Sequence, residues 1–275
     1  DVSILERSLN YLISRHESLR TVFRKNEQAE AFQYVEREKT IQIVEEDYSN
    51  LAPEEREAEL RKYSKAFIDK PFDLSNGPLI RATVVKLAER EFVFGLCIHH
   101  IIADGWSLST FRKELNEVYS SYINEEAIVL PSMPIQYVDY AAWEQKLFKQ
   151  DNFSEGLAHW KTHLENHKDA LVLTDFPRPK QLKGEGKRIN TVIDVSTKAK
   201  LATFNKTSGA TLFTSLLTSV FIVLNKYSGQ DDICLGIPAA NRSHRDTEKL
   251  IGFFVNTLVN RLQFKTNDTE LDVFN

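Results

Sequence analysis

The run His99-His100-Ile101-Ile102-Ala103-Asp104-Gly105-Trp106-Ser107 places two imidazoles, a carboxylate and a hydroxyl on one short stretch of chain. An imidazole titrates near 6.5, so it is largely neutral at pH 7 and can accept a proton from an incoming nucleophile, which is general-base work. The run leaves an apolar strand-like segment, passes an Asp-Gly turn and enters a helix that Ser107 can cap. A rigid strand end of this kind aims side chains while the turn leaves room for substrate. Side chains alternate along a strand, so His99 and His100 cannot both point into one cleft; one should act while the other packs or supports. Asp104 has two rival roles, orienting a histidine as in a catalytic triad or being tied to a cation that fixes the turn, and spacing does not choose between them. A metal site is disfavoured, because adjacent strand histidines diverge and no further His or Cys lies nearby. No Gly-x-Ser-x-Gly elbow, P-loop or Gly-x-Gly-x-x-Gly occurs, so neither a serine nucleophile nor a nucleotide phosphate cradle has support.

The rest of the chain must hold that run in place. Its 275 residues, 42% hydrophobic and 27% charged, have the composition of a globular protein and exclude collagen-like, disordered and disulfide-scaffold classes. The length suits one large or two modest domains. A net charge of −4 supplies no positive field for nucleic acid or anionic lipid. Cys97 and Cys234 each sit in an apolar run that reads as a buried strand, and they are read as unpaired small hydrophobes. The opening DVSILERSLNYL is acidic and amphipathic, and no window approaches roughly 18 apolar residues, which predicts a cytoplasmic protein without membrane attachment.

Helical and strand signals alternate without a fixed-period repeat, predicting an α/β chain. Ile4, Leu5, Leu9 and Leu12 mark a first helix. Thr21 to Phe23 and Ala31 to Val35 flank a polar turn like a hairpin, and Ile41 to Val44 is extended. A helix opens near Pro53 with Leu60, Tyr63 and Phe67 on one face, and its charged stretch EEREAELRK reads as a solvated surface. Leu79 to Leu87 and Phe92 to His99 read as strands. Phe111, Leu115, Val118 and Tyr122 stripe the helix after Ser107. Two helices are expected over roughly 135 to 150 and 154 to 165, with Tyr137, Tyr140 and Trp143 as a core-facing aromatic stripe and Asp139 as a capping or solvated charge. The Pro-, Gly- and Lys-rich stretch from Phe176 to Gly186 is the best linker candidate. Beyond it, Thr191 to Val195 reads as a strand, Ser196 as the cap of a helix ending near Gly209, Leu212 to Tyr227 as a buried helix, and Ile233 to Ile237 and Phe254 to Phe264 as strands.

The central run matches the HHxxxDG signature of condensation domains of nonribosomal peptide synthetases, within the wider family of chloramphenicol-acetyltransferase-like acyltransferases. Other elements follow in the family's order. Arg15 to Phe23 (RHESLRTVF) resembles RHExLRTxF, Tyr137 to Trp143 (YVDYAAW) resembles YxDYAxW, Ile251 to Thr257 (IGFFVNT) is similar to IGxFVNT, and Pro238 to Arg242 resembles the stretch just before it. Glu144 stands where the family often has Gln. The family's Ser-x-Ala-Gln element is expected before Asp1, and the closing third of the second lobe after Asn275.

The resemblance implies two acetyltransferase-like α/β lobes arranged as a V, here 1–155 and 156–275, with an active-site tunnel between them. It implies that His100 is catalytic, that Asp104 is structural and paired with Arg242, and that His99 belongs to the structural motif. A backbone donor at Gly105 is expected near the developing oxyanion, because no side chain blocks approach there. Trp106, Ser107 and Asn256 are candidates to line the tunnel. The implied reaction is amide formation between a donor acyl or peptidyl thioester and the amine of an acceptor aminoacyl thioester, both carried on phosphopantetheine by upstream and downstream carrier domains beside an adenylation domain. No metal or nucleotide is required, and no cofactor is bound intrinsically. RHESLRTVF and HHIIADGWS look more like the branch accepting an L-configured donor. Heterocyclising relatives replace both histidines with aspartate, which this chain does not. Two other functions stay open: a catalytically idle domain that docks carriers, and an acyltransferase of the same fold acting on a free amine or alcohol. Arg15, His16 and Arg20 at a helix end are read as structural cations.

Overall fold

The computed structural model describes the chain apart from residues 151–152, 170, 173, 178–179, 181–185, 187, 266–271 and 273–275. The linker expected at 176–186 lies largely outside the described residues. The fold is mixed helix and sheet, as the alternation of signals predicts, and it divides into two compact units. The first comprises Asp1–Asn152 with Ala239–Asn256, the second Phe153–Pro238 with Thr257–Asn275.

In the first unit, helix α1 (Val2–Arg15) begins where the Asp1 carboxylate accepts the Ile4 N–H, and it buries Leu9, Leu12 and Ile13. A 3₁₀ turn at Glu17–Arg20 leads into the antiparallel hairpin of β1 (Thr21–Lys25) and β2 (Ala31–Val35). A second sheet has the order β3 (Ile43–Asp47), β4 (Ile80–Ala88), β5 (Glu91–Ile98). Here β3 runs parallel to β4, and β5 returns antiparallel in a register that sets Ile80 opposite Ile98. Parallel pairing requires a crossover, which α2 (Pro53–Asp69) supplies; proline sits at its start, where the missing N–H costs no helical bond. Helix α2 lies on the sheet through Tyr63, whose hydroxyl is 2.8 Å from Thr83 Oγ1.

After β5 comes α3 (Gly105–Ile123), which buries Phe111, Leu115 and Val118 with the apolar face of α1 in one core. Burying each such side chain contributes about 1.5–3 kcal/mol relative to exposure. The same pair of helices is cross-linked by charge. His16 Nε2 lies 2.6 Å and Arg15 Nε 3.2 Å from a single Glu114 oxygen. Burial of Glu114 raises its carboxyl, but His16 and Arg15 outweigh that and leave it below the usual range. Arg15 and His16, at the end of α1, thus both reach a carboxylate on another helix.

Helix α4 (Tyr137–Lys149) opens with a capping box in which Gln136 and Asp139 each satisfy the other's backbone N–H. Its aromatic stripe is only partly core. Tyr140 is buried with Leu250 and Phe254 in a second small cluster, whereas Trp143 stays half exposed. The segment 239–256 groups with the first unit, where Leu250 and Phe254 are buried against α4.

The second unit contains α5 (Ser154–His163), α6 (Val195–Ser208), α7 (Leu212–Ser228) and the paired strands β6 (Asp232–Ala239) and β7 (Asn256–Gln263). No strand forms over 191–195. The Asp194 carboxylate accepts the Thr197 N–H and both nearby hydroxyls, so it, not Ser196, caps α6. Helix α6 ends at Gly209 and α7 at Gly229, each with left-handed φ, 68° and 67°. Helix α7, expected to be buried all round, buries only Ser215, Thr218 and Phe221; Leu212, Phe213 and Val223 are more than half exposed. Arg261 on β7 joins β6 through Asp232 (Nε to Oδ1 2.8 Å) and α5 through the backbone carbonyls of His163 and Glu165. Cys97 and Cys234 are free thiols on β5 and β6, half-buried instead of sealed.

Candidate active site

Strand β5 delivers the histidine pair to the edge of the first unit. The sheet holds the chain as far as His99, whose N–H donates to Leu79 O at 2.9 Å. The next residues form a tight turn: Ile102 N–H donates to His99 O (3.1 Å) and Ile101 N–H to His99 Nδ1 (3.0 Å). His99 therefore acts on its own turn, its ring half-buried and edge-on to Phe72 at 5.8 Å. His100 is exposed, and its ring stands 5.3 Å from that of Phe253 at 81°. Ile102 and Ala103, both buried, anchor the turn to the core. The two imidazoles thus differ, one engaged by the backbone of its own turn and the other open to solvent; both lie just past the end of β5, so the turn and not strand alternation separates them.

Behind the turn, Asp104 is the hub of a dry network. Its Oδ1 accepts the Ser107 N–H at 2.7 Å, which makes Asp104 the N-cap of α3 in place of Ser107. Arg242 Nη2 lies 3.2 Å from Oδ1, and Oδ2 accepts the Phe254 N–H at 3.1 Å. Asp104 N–H donates in turn to Gly252 O at 3.1 Å. The side chains of Asp104 and Arg242 are only 3% and 2% exposed, so both charges are desolvated and compensated locally. Burial pushes the Asp104 carboxyl up; the Ser107 hydrogen bonds and the Arg242 charge push harder and hold it below the ordinary carboxylate range. Arg242 also donates to the Thr247 and Leu250 carbonyls and stacks 4.0 Å over the Phe254 ring. The triad-like alternative for Asp104 finds no geometric support: its hydrogen bonds run to Ser107, Arg242, Gly252 and Phe254, and among the described residues none reaches a histidine.

Ser107, expected to line a channel, is fully buried. Its hydroxyl donates to Gly252 O (2.8 Å) and accepts from Gly252 N–H (3.1 Å) and Arg242 (2.9 Å), which leaves it no surface to present. Trp106 is half exposed, its indole N–H donating to Glu248 O at 2.9 Å. Asn256 is exposed at the first residue of β7. Gly105 opens α3 and is exposed; a Cβ built there meets nothing within 4 Å. As the first residue of a helix it presents its N–H at the positive end of the helix dipole.

Sequence reasoning did not single out Gly252 or Tyr137 for the site, yet they decide its geometry. The Tyr137 hydroxyl donates to Phe253 O at 2.7 Å, and burial together with the Glu144 carboxylate pushes that phenol up to about 12. The Tyr137 ring packs directly against Gly252, so an added Cβ would stand 2.7 Å from Cγ and closer still to Cδ2. The available signal was a glycine beside two phenylalanines, and nothing local says which ring it must admit. Gly252→Ala is expected to displace Tyr137 and lower stability by roughly 1–3 kcal/mol, as overpacking does. A denaturant midpoint unchanged in that variant would contradict the close approach.

The family model for the condensation domain matches residues 1–275. One of the linear gramicidin synthase subunits of Brevibacillus parabrevis is 41% identical over 270 residues, covering 98% of this chain and 5% of that protein. Malpibaldin synthetase of Mortierella alpina is 38% identical over 258 residues, 94% of this chain and 5% of its own length. The chain therefore spans a small part of the relatives it matches. Among solved structures, the epimerization domain from the third module of a tyrocidine synthetase superposes with a TM-score of 0.87 at 20% identity, over 99% of this chain and 63% of that one. That likeness carries the fold alone. Motifs in family order, a family match along the whole sequence and relatives among peptide synthetases agree: this chain belongs to the condensation-domain family of nonribosomal peptide synthetases.

Proposed function

We propose that the chain joins a donor acyl or peptidyl group, held as a thioester on one carrier domain, to the amine of an aminoacyl thioester on a second carrier. The supporting observation is an exposed imidazole, His100, standing on a turn that is fixed from behind by the buried Asp104–Arg242 pair. A thioester is already activated, so the protein's work is to position two arms and manage one proton. The acceptor nitrogen attacks the donor carbonyl carbon, the C–N bond forms, and the tetrahedral intermediate collapses with cleavage of the C–S bond. The proton leaving nitrogen passes to His100 Nε2 or Nδ1 and is returned to the departing thiolate. The positive end of α3 at Gly105 lies beside the same turn and would stabilise the developing oxyanion. Trp106 and Asn256 remain exposed candidates for contact with the phosphopantetheine arms. We assign the donor to the L-configured class on the form of the two motifs, and place the domain in the cytoplasm beside the adenylation domain that loads its carriers.

The test is intact-protein mass spectrometry of a loaded donor carrier and a loaded acceptor carrier after mixing with the protein. The expected result is loss of the acyl mass from the donor and its gain by the acceptor. Transfer to a free amine in preference to the carrier-bound one would favour an acyltransferase with a diffusible acceptor. Binding of both carriers with no transfer would favour a docking role.

A further inference from the structure

We propose that Phe253 is a positioning residue for His100, and that the clamp on the backbone of residues 252–254 exists to set where its ring stands. The inference rests on the reading of His100 as the proton-handling group and goes beyond it, because no family motif specifies an aromatic at this position of the sequence IGFFVNT.

Phe253 is 39% exposed, while its neighbour Phe254 is 2% exposed and packed in the cluster with Tyr140 and Leu250. Burial therefore explains Phe254 and does not explain Phe253. The backbone around Phe253 is nevertheless held at every peptide. Gly252 exchanges hydrogen bonds with the Ser107 hydroxyl at 2.8 and 3.1 Å. Phe253 O accepts from Tyr137 at 2.7 Å, and Phe254 N–H donates to Asp104 at 3.1 Å. With Phe254 locked inward, Phe253 is left facing outward, and its ring meets His100 in an edge-to-face arrangement at 5.3 Å and 81°. An exposed imidazole on a turn would otherwise sample several staggered rotamers. A ring placed against it removes some of them and keeps the reactive nitrogen on one bearing. Asp104 and Tyr137 would then influence catalysis at one remove, through the position of Phe253.

Phe253→Leu keeps apolar bulk and removes the ring; Phe253→Tyr keeps the ring. In carrier-to-carrier condensation, Phe253→Leu is expected to lower kcat by roughly ten- to a hundredfold, the scale of a small misplacement of a reacting group, with KM for the loaded acceptor carrier unchanged. Phe253→Tyr should restore the parental rate to within a few-fold. In histidine-labelled protein, the His100 ring-proton resonance should move in Phe253→Leu through loss of the aromatic ring current and return in Phe253→Tyr. A parental kcat in Phe253→Leu, or a His100 resonance that does not move, overturns the proposal. His100→Ala separates this outcome from failure of the underlying reading. An inactive His100→Ala beside a fully active Phe253→Leu discards only the positioning role, whereas an active His100→Ala discards both.

Discussion

Protein carrying His100→Ala is expected to fold as the parent does and to transfer no measurable acyl group between loaded carriers. The first half follows from exposure. The imidazole lies at the surface against Phe253, so truncation leaves no buried cavity, and surface changes of that kind usually stay within about 0.5 kcal/mol. The second half follows from chemistry. A positioned proton acceptor contributes on the order of 10²–10⁴ in rate, and loss of its orienting effect on the attacking nitrogen adds to that. His99→Ala supplies the contrast. Its Nδ1 accepts the Ile101 N–H inside the turn, so its removal should cost about 1 kcal/mol of stability while leaving a larger fraction of activity than His100→Ala does. Product yield would be read by mass on the acceptor carrier and fold by circular dichroism. Undiminished transfer by a folded His100→Ala protein would remove His100 from the mechanism. A reversed order, with His99→Ala dead and His100→Ala active, would hand the role to the other ring.

How much of this was legible beforehand depended on how far apart the interacting residues lie. The β1–β2 hairpin, the start of α2 at Pro53 and the strands β4 and β5 could be read because turn chemistry and alternation act over a few residues. Asp194 and Asp104 show the limit of such local reading. In both places a carboxylate took the N-cap from a serine expected to hold it, since a charged acceptor at the positive helix end makes the stronger bond. Helix α7 shows another limit: its composition says that it is apolar, but exposure of Leu212, Phe213 and Val223 depends on what else covers it, which no window of sequence contains. At the site, the pairing of Asp104 with Arg242 spans 138 positions. Physical spacing left the role of Asp104 undecided, and only the family motifs pointed to that arginine. Ser107 shows a related limit. Its hydroxyl looks available when the sequence is read along one dimension, and in three dimensions Gly252 and Arg242 have claimed it. Nothing local in the sequence says which of Phe253 and Phe254 faces outward, and the contact of Phe253 with His100 requires residues 252–254 to be stitched to α3.

Removing the Asp104 side chain is expected to be the most damaging single truncation in that stitching. In Asp104→Ala the Arg242 guanidinium stays buried without its counter-charge, the Phe254 N–H loses its acceptor, and α3 loses its cap. Breaking a buried pair in this way costs about 3–5 kcal/mol, a large share of the roughly 5–15 kcal/mol that stabilises an ordinary domain. The urea midpoint should fall accordingly, and activity should fall by more than the folded fraction, since the Phe254 N–H that Asp104 accepts also fixes where Phe253 stands beside His100. Asp104→Asn, which retains shape and one acceptor, separates the charge from the cap and should lie between parent and alanine. The pH dependence follows from the sign of the shift. The folded carboxyl titrates below its unfolded value of about 3.9, so its charge-dependent stabilisation is fully present above that value and is lost as pH falls through the lower, folded one. The gap in stability between parent and Asp104→Asn should therefore be constant near neutrality and narrow progressively below about pH 4. Glu114 and Asp232, also shifted down by their partners, make both proteins less stable in acid, but they are common to the two and cancel in the difference. A gap that persists unchanged to about pH 2, below the unfolded carboxyl range, would mean that the Asp104 charge contributes nothing to holding residues 242–254 against α3.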